Sequence, residues 1–130
     1  MVSNKTEYIL KILINLAQRE CSEFISSRVV ADEEGVPPKF MPQLMSSLVK
    51  RGWVESVRGI NGGVRLVADP HKLSVLDVIE LAEDSFLVKK CATGICSFQK
   101  QDTCNLLPLW RKAQKNLEEV MGSMSIADLI

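Results

Sequence analysis

The chain has 130 residues, 46% of them hydrophobic, and its sixteen basic residues balance sixteen acidic ones. It is long enough for one domain with a proper core and short for two. No segment approaches the roughly 20 apolar residues of a membrane span. The start, Met1 to Glu7, has neither a basic run leading into an apolar stretch nor a small-residue cleavage site. No secretory signal is read there, and a cytoplasmic protein with reduced thiols is expected.

Ile9, Leu10, Ile12, Leu13, Leu16 and Ala17 recur at helical spacing and predict a first helix from Thr6 to Arg19 with a broad apolar face. Cys21 stands apart and reads as a buried or idle thiol. Ser26 is an N-cap for a short helix through Val29, Val30 and Ala31 that stops at Gly35. Proline is tolerated only in the first turn of a helix, so a third helix starts beside Pro38 and runs through Phe40, Leu44, Leu48 and Val49 to Gly52. Two short helices joined by a tight turn match the helix-turn-helix pattern.

Trp53 to Val57 and Val64 to Val67 read as strands, joined by Arg58-Gly59-Ile60-Asn61-Gly62-Gly63, whose glycines and Asn61 allow a hairpin turn. This is a β-wing, with Arg58 at its root placed to reach a minor groove or phosphates and the glycines around Asn61 and Gly62 opening the backbone to DNA. The run has no following Lys-Ser/Thr and no long helix, which excludes a P-loop. Zero net charge carries no nucleic-acid signal, but its distribution does. From Lys39 to Arg65 the basic residues Lys39, Lys50, Arg51, Arg58 and Arg65 face Glu55 alone.

Ser74-Val-Leu-Asp77 has the form of a capping box, and Val75, Val78, Ile79 and Ala82 give a fourth helix its apolar stripe. A polar loop follows that holds Cys91, Cys96 and Cys104. Beyond it Leu106, Trp110, Ala113, Leu117, Val120 and Met124 recur in steps of four and three, a heptad seam on a terminal helix with Pro108 near its start. Dimerisation through that helix is expected, because DNA readers of this size need two half-sites for useful specificity.

Three thiolates in one loop are ligands for an iron-sulfur cluster or zinc, or a site of thiol redox chemistry. Zinc usually takes four protein ligands in closely spaced Cys pairs, a spacing the loop lacks. Three thiolates leave one position for a different ligand, which makes a cluster labile and suits sensing. No nucleophile, base and oxyanion donor converge anywhere, so an enzyme is not expected.

Several separated blocks resemble the Rrf2 family of bacterial winged-helix transcription regulators, of the iron-sulfur-assembly regulator and nitric-oxide-sensitive repressor type. They are Glu7-Tyr8-Ile9-Leu10, Phe40-Met-Pro-Gln43-Leu44, Leu48-Val-Lys-Arg-Gly52-Trp53-Val54, the wing from Ser56 to Leu66, the three cysteines, Leu109-Trp110 and the terminal Ser125-Ile-Ala-Asp128-Leu129. The resemblance implies a mainly α fold with a small β-hairpin: a winged helix-turn-helix domain over residues 1–84, a cluster-binding loop over 85–105, and a dimerisation helix with its tail over 106–130. It implies a homodimer on a double-stranded operator, a repressor whose DNA affinity is controlled by one 2Fe-2S or 4Fe-4S cluster per subunit that senses redox state, nitric oxide or iron status. A zinc-stabilised or thiol-redox regulator without a cluster is the alternative.

Residue by residue, the resemblance implies that Cys91, Cys96 and Cys104 hold the cluster, with Glu7 of the partner subunit as fourth ligand. The histidine that some members carry three residues after the last cysteine is Leu107 here, and the chain's one histidine, His71, lies just after the wing. Lys39, Phe40 and Gln43 match base-reading positions, Gln43 suited to an adenine edge and Lys39 to guanine or phosphate. Phe40 and Pro42 replace the commoner tyrosine and acidic residue. Arg58, Asn61 and Gly62 make the wing contacts.

Overall fold

Ile9, Ile12, Leu13 and Leu16 lie on one side of the first helix, α1 (Asn4–Ala17), and all four are buried. The helix begins two residues before the expected Thr6, because the Ser3 hydroxyl caps it by accepting the Thr6 N–H at 3.4 Å. The computed structural model describes residues 2–19, 23–83 and 105–130, so Cys21, Cys91, Cys96 and Cys104 lie outside the described residues.

The second helix, α2 (Ser27–Glu34), runs between its expected caps, Ser26 and a left-handed Gly35 at φ +69°. Asn15, buried on α1, joins the two helices: its amide donates to Glu33 at 3.0 Å and Glu34 at 2.8 Å, and its oxygen accepts from Arg19 Nε at 3.0 Å. The Asn15 amide and the Arg19 guanidinium hold the Glu33 carboxyl below its ordinary range.

The expected third helix divides. Pro38–Phe40 is a single 3-10 turn, and α3 (Met41–Arg51) follows it to a left-handed Gly52 at φ +82°. An α-helix continuous from Pro38 would need Pro42 to donate to the Pro38 carbonyl, and Pro42 has no N–H. The Met41 N–H bonds that carbonyl instead, which is the 3-10 pattern.

Strands β1 (Val54–Val57) and β2 (Gly63–Leu66) pair antiparallel, with Val54 opposite Leu66, Glu55 opposite Arg65, and Val57 opposite Gly63. Helix α4 (Val75–Ala82) carries the predicted capping box, Asp77 N–H to Ser74 Oγ at 3.1 Å and Ser74 N–H to Asp77 Oδ2 at 3.0 Å. Helix α5 (Leu107–Ser123) has Pro108 in its first turn and buries Leu107 and Gln114.

After α5 the tail returns to the segment that enters α4. Met124 accepts from the Val75 N–H at 2.8 Å, Ile126 donates to Leu73 at 2.8 Å, and Ala127 donates to Pro70 at 3.0 Å. The Ile126 side chain is completely buried in the core built by α1, α2, α3 and the hairpin. Ser125-Ile-Ala-Asp128 repeats the reciprocal bonding of Ser74 and Asp77, at 2.9 and 3.2 Å. The tail is therefore sewn into the winged-helix core.

Candidate nucleic-acid interface and the flank of the cysteine segment

The entry to α3 presents the residues expected to read bases. Lys39, Phe40 and Gln43 are exposed, while Leu44, one turn on from Phe40, is buried. Phe40 is thus a surface side chain, 40% exposed, and not a core partner of Leu44. Its ring stacks on Tyr8 of α1 with centroids 6.0 Å apart and planes 25° off parallel. The Lys39 ammonium sits 5.1 Å from the same ring centroid, a cation-π contact. Asn4, Lys5, Tyr8, Phe40, Gln43 and Leu44 line a shallow recess of about 290 Å³ there, so the start of α1 and the start of α3 form one surface.

The wing is built on glycine. The Gly62 N–H bonds the Gly59 carbonyl at 3.1 Å and closes the turn that exposes Arg58 and Asn61. A Cβ on Gly62 would lie 2.2 Å from the Val57 carbonyl oxygen, and one on Gly63 2.3 Å from that of Ile25. Gly63 also sits at φ +146°, a conformation that L side chains avoid. Its close neighbour Ile25 exchanges both backbone hydrogen bonds with Val64, at 3.0 and 2.7 Å, and so pins the wing root to the segment that enters α2. Sequence reasoning missed this bridge. Its only signal was an aromatic and a β-branched residue, Phe24-Ile25, directly before the Ser26 cap.

The positive stretch is thinner than its composition suggests. Arg65 is spent on the cross-strand Glu55 at 2.8 Å and lies over the Phe24 ring, 4.6 Å from its centroid. Arg51 lies over the Trp53 ring at 5.4 Å. Lys39, Lys50, Arg51 and Arg58 are exposed with no acidic partner among the described residues. The cations at liberty therefore stand at the two ends of α3 and on the wing.

Glu7, the expected carboxylate ligand, is exposed on the first turn of α1 and pairs with Lys11 at 3.7 Å. Its neighbour Thr6 is completely buried and donates from Oγ1 to Glu83 Oε1 at 2.7 Å, and the Ser3 N–H donates to the same oxygen at 2.6 Å. Hydrogen bonding from Ser3, its side chain foremost, and from the Thr6 hydroxyl holds the Glu83 carboxyl below its ordinary range. Glu83 is the last described residue before the segment that carries Cys91, Cys96 and Cys104. Among the described residues no three histidine, cysteine or carboxylate side chains converge as a metal site. His71 is exposed, with its backbone N–H on Asp69 Oδ1 at 2.9 Å. No helix of the described residues is long and apolar enough to cross a membrane.

Known proteins share this architecture. The chain is 29% identical to the HTH-type transcriptional regulator NsrR of Bacillus licheniformis over 99% of its own length and 91% of the relative's. Among solved structures, T. potens IscR superposes with a TM-score of 0.75 at 31% identity, covering 99% of this chain and 85% of that one. CymR, the global cysteine regulator of B. subtilis, superposes at 0.81 with 26% identity, over 99% and 95% of the two chains. A family profile described as an iron-dependent transcriptional regulator, Rrf2, matches residues 2–130. With its winged helix-turn-helix and its regulator relatives, the chain belongs to the Rrf2 family of DNA-binding transcription regulators, and it is not an enzyme.

Proposed function

We propose that the chain is a cytoplasmic repressor that binds its operator as a homodimer and whose DNA affinity is set by an iron-sulfur cluster. The observation that carries this reading is the donor set: three clustered thiolates, in a chain that matches an iron-dependent regulator family end to end, with an exposed carboxylate at Glu7. Thiolates with one weaker oxygen ligand suit a cluster held loosely enough to sense. Cys91, Cys96 and Cys104 would hold a 2Fe-2S or 4Fe-4S cluster in each subunit, with Glu7 supplied by the partner subunit. When bound, it supplies a group that reacts with oxygen, nitric oxide or reductants.

The chain's own residues provide a route from that segment to DNA. Glu83, the last described residue before it, bonds Ser3 and Thr6, Glu7 is the next residue after Thr6, and Tyr8 stacks on Phe40 at the entry to α3. A change at Glu7 is thereby felt at Lys39, Phe40 and Gln43, which read bases, while Arg58, Asn61 and Gly62 contact the flanking backbone or minor groove. A coupling of about 1 to 3 kcal/mol between the two sites would change operator affinity about 5- to 150-fold.

Dimerisation is supported by the seam of α5. On the helix Val120 is 59% exposed, and the residues that flank its two ends, Leu106 and Met124, are 53% and 39% exposed, while Trp110, Ala113 and Leu117 between them are half-buried, so the chain's own core leaves the stripe partly uncovered. The buried Leu107 and Gln114 lie on a different face, so α5 packs on its own domain and still presents a second side.

Purification without oxygen, followed by visible absorption and iron and sulfide analysis, tests the reading. A brown protein whose colour is lost in Cys91→Ala supports it, and a colourless protein with stoichiometric zinc overturns it. The resemblance to the cysteine regulator CymR favours a second reading, in which the same thiols act by redox chemistry alone. A colourless, metal-free protein whose operator affinity responds to oxidants would establish that case.

A further inference from the structure

Turn positions favour Gly, Asn, Asp, Ser and Pro, and β-branched residues suit extended strands instead. Ile60 breaks that rule at the tip of the wing, between Gly59 and Asn61, and it is 103% exposed, more than any other large hydrophobic residue among those described. Neither the turn nor the core needs it. The turn is closed by the Gly62 N–H on the Gly59 carbonyl at 3.1 Å and shaped by Gly59 at φ +117°, so its geometry is independent of the Ile60 side chain. The ribbon beneath the tip is held by the two Ile25–Val64 bonds, which gives the side chain a fixed mount. Arg58 and Asn61 stand exposed beside it with no partner among the described residues. An apolar tip with a cation and an amide beside it fits the minor groove of duplex DNA, where cationic and amide side chains bind along the groove and apolar ones press against the base pairs.

We propose that Ile60 is a specificity-determining residue of the DNA contact, lying against the minor-groove floor and selecting A·T pairs beneath the wing. In that groove A·T and T·A present only acceptors, whereas guanine adds its exocyclic amino donor. The isoleucine side chain cannot accept from that amino group, so a G·C pair under the tip buries an unsatisfied donor. The inference rests on the chain's DNA binding and is independent of what the cysteines hold.

The experiment starts with selection of binding sites from a random duplex library by the full-length chain purified without oxygen. Three versions of the selected duplex then carry A·T, G·C or inosine·C at the flanking pair under the wing. Inosine·C keeps the major-groove face of G·C and lacks the minor-groove amino group. For the native chain, G·C weakens binding about tenfold and inosine·C restores it. Ile60→Ser and Ile60→Ala bind the three duplexes alike and still select the same half-site core. The proposal is overturned if the native chain treats all three alike, if inosine·C fails to restore affinity, or if Ile60→Ser discriminates as the native chain does. Loss of discrimination in Arg58→Ala with full discrimination in Ile60→Ser would also overturn it, in favour of the arginine. A library that yields no enriched half-site would sink the DNA-binding reading itself, whereas a half-site without flank preference sinks only the role of Ile60.

Discussion

Thr6 and Glu83, far apart in the chain, meet through a 2.7 Å hydrogen bond from a completely buried hydroxyl to a carboxylate oxygen that also accepts the Ser3 N–H. The bond ties the first turn of α1 to the residue from which the cysteine segment departs. Thr6→Val keeps the shape of the side chain and removes the donor, and it should lower stability by about 1 kcal/mol in denaturant unfolding. The pH dependence has a definite sign. The folded-state value of Glu83 lies below the ordinary 4.5, so its contribution is complete above that value and is lost as pH falls from it through the depressed one. The stability gap between the native chain and Glu83→Gln should therefore be full at neutral pH and close under acid. A gap that stays constant with pH would show that the carboxylate charge plays no part.

Gly63→Ala should disable the wing. The new methyl would meet the Ile25 carbonyl oxygen at 2.3 Å, at a φ of +146°. Backbone strain of this kind costs about 1 to 3 kcal/mol, so thermal unfolding should shift downward and DNA affinity should fall with it. Unchanged melting would mean that the Ile25–Val64 bridge yields freely.

Arg58→Ala should weaken binding to any duplex and make the salt dependence of the logarithmic affinity shallower by about 0.9 for each phosphate that the arginine neutralises. The side chain is exposed and unpaired among the described residues, so stability should hold. An unaltered slope would place the wing off the phosphate backbone.

Val120→Glu puts a charge on the open seam of α5, at a position 59% exposed in the single chain. Sedimentation should report a monomer with native helical content, and operator affinity should drop because two linked half-sites become one. A persistent dimer would move the interface elsewhere.

Glu7→Ala tests the carboxylate ligand without touching a cysteine. The protein should still acquire its visible absorbance when purified without oxygen and lose it faster in air than the native chain does, whereas Lys11→Ala, which frees the same carboxylate from its ion pair, should not bleach faster. Equal decay of Glu7→Ala and native protein would exclude the carboxylate from the site.

Local chemistry determined much of this protein before any tertiary contact existed. Ser26, Gly35 and Gly52 bound their helices because capping and left-handed conformations depend on one residue and its immediate neighbours, and the Ser74–Asp77 box and the glycine wing are local in the same sense. The family and the identity of the cysteines were legible for the same reason, since spacing along the chain survives without coordinates. Tertiary structure decided what depends on distant partners. It made Phe40 a surface ring against Tyr8, spent Arg65 on Glu55, joined Ile25 to the wing, folded Ile126 into the core, and set Glu83 on Thr6. Periodicity assigns a residue to a face but cannot say which face, charge or hydroxyl another element brings to meet it.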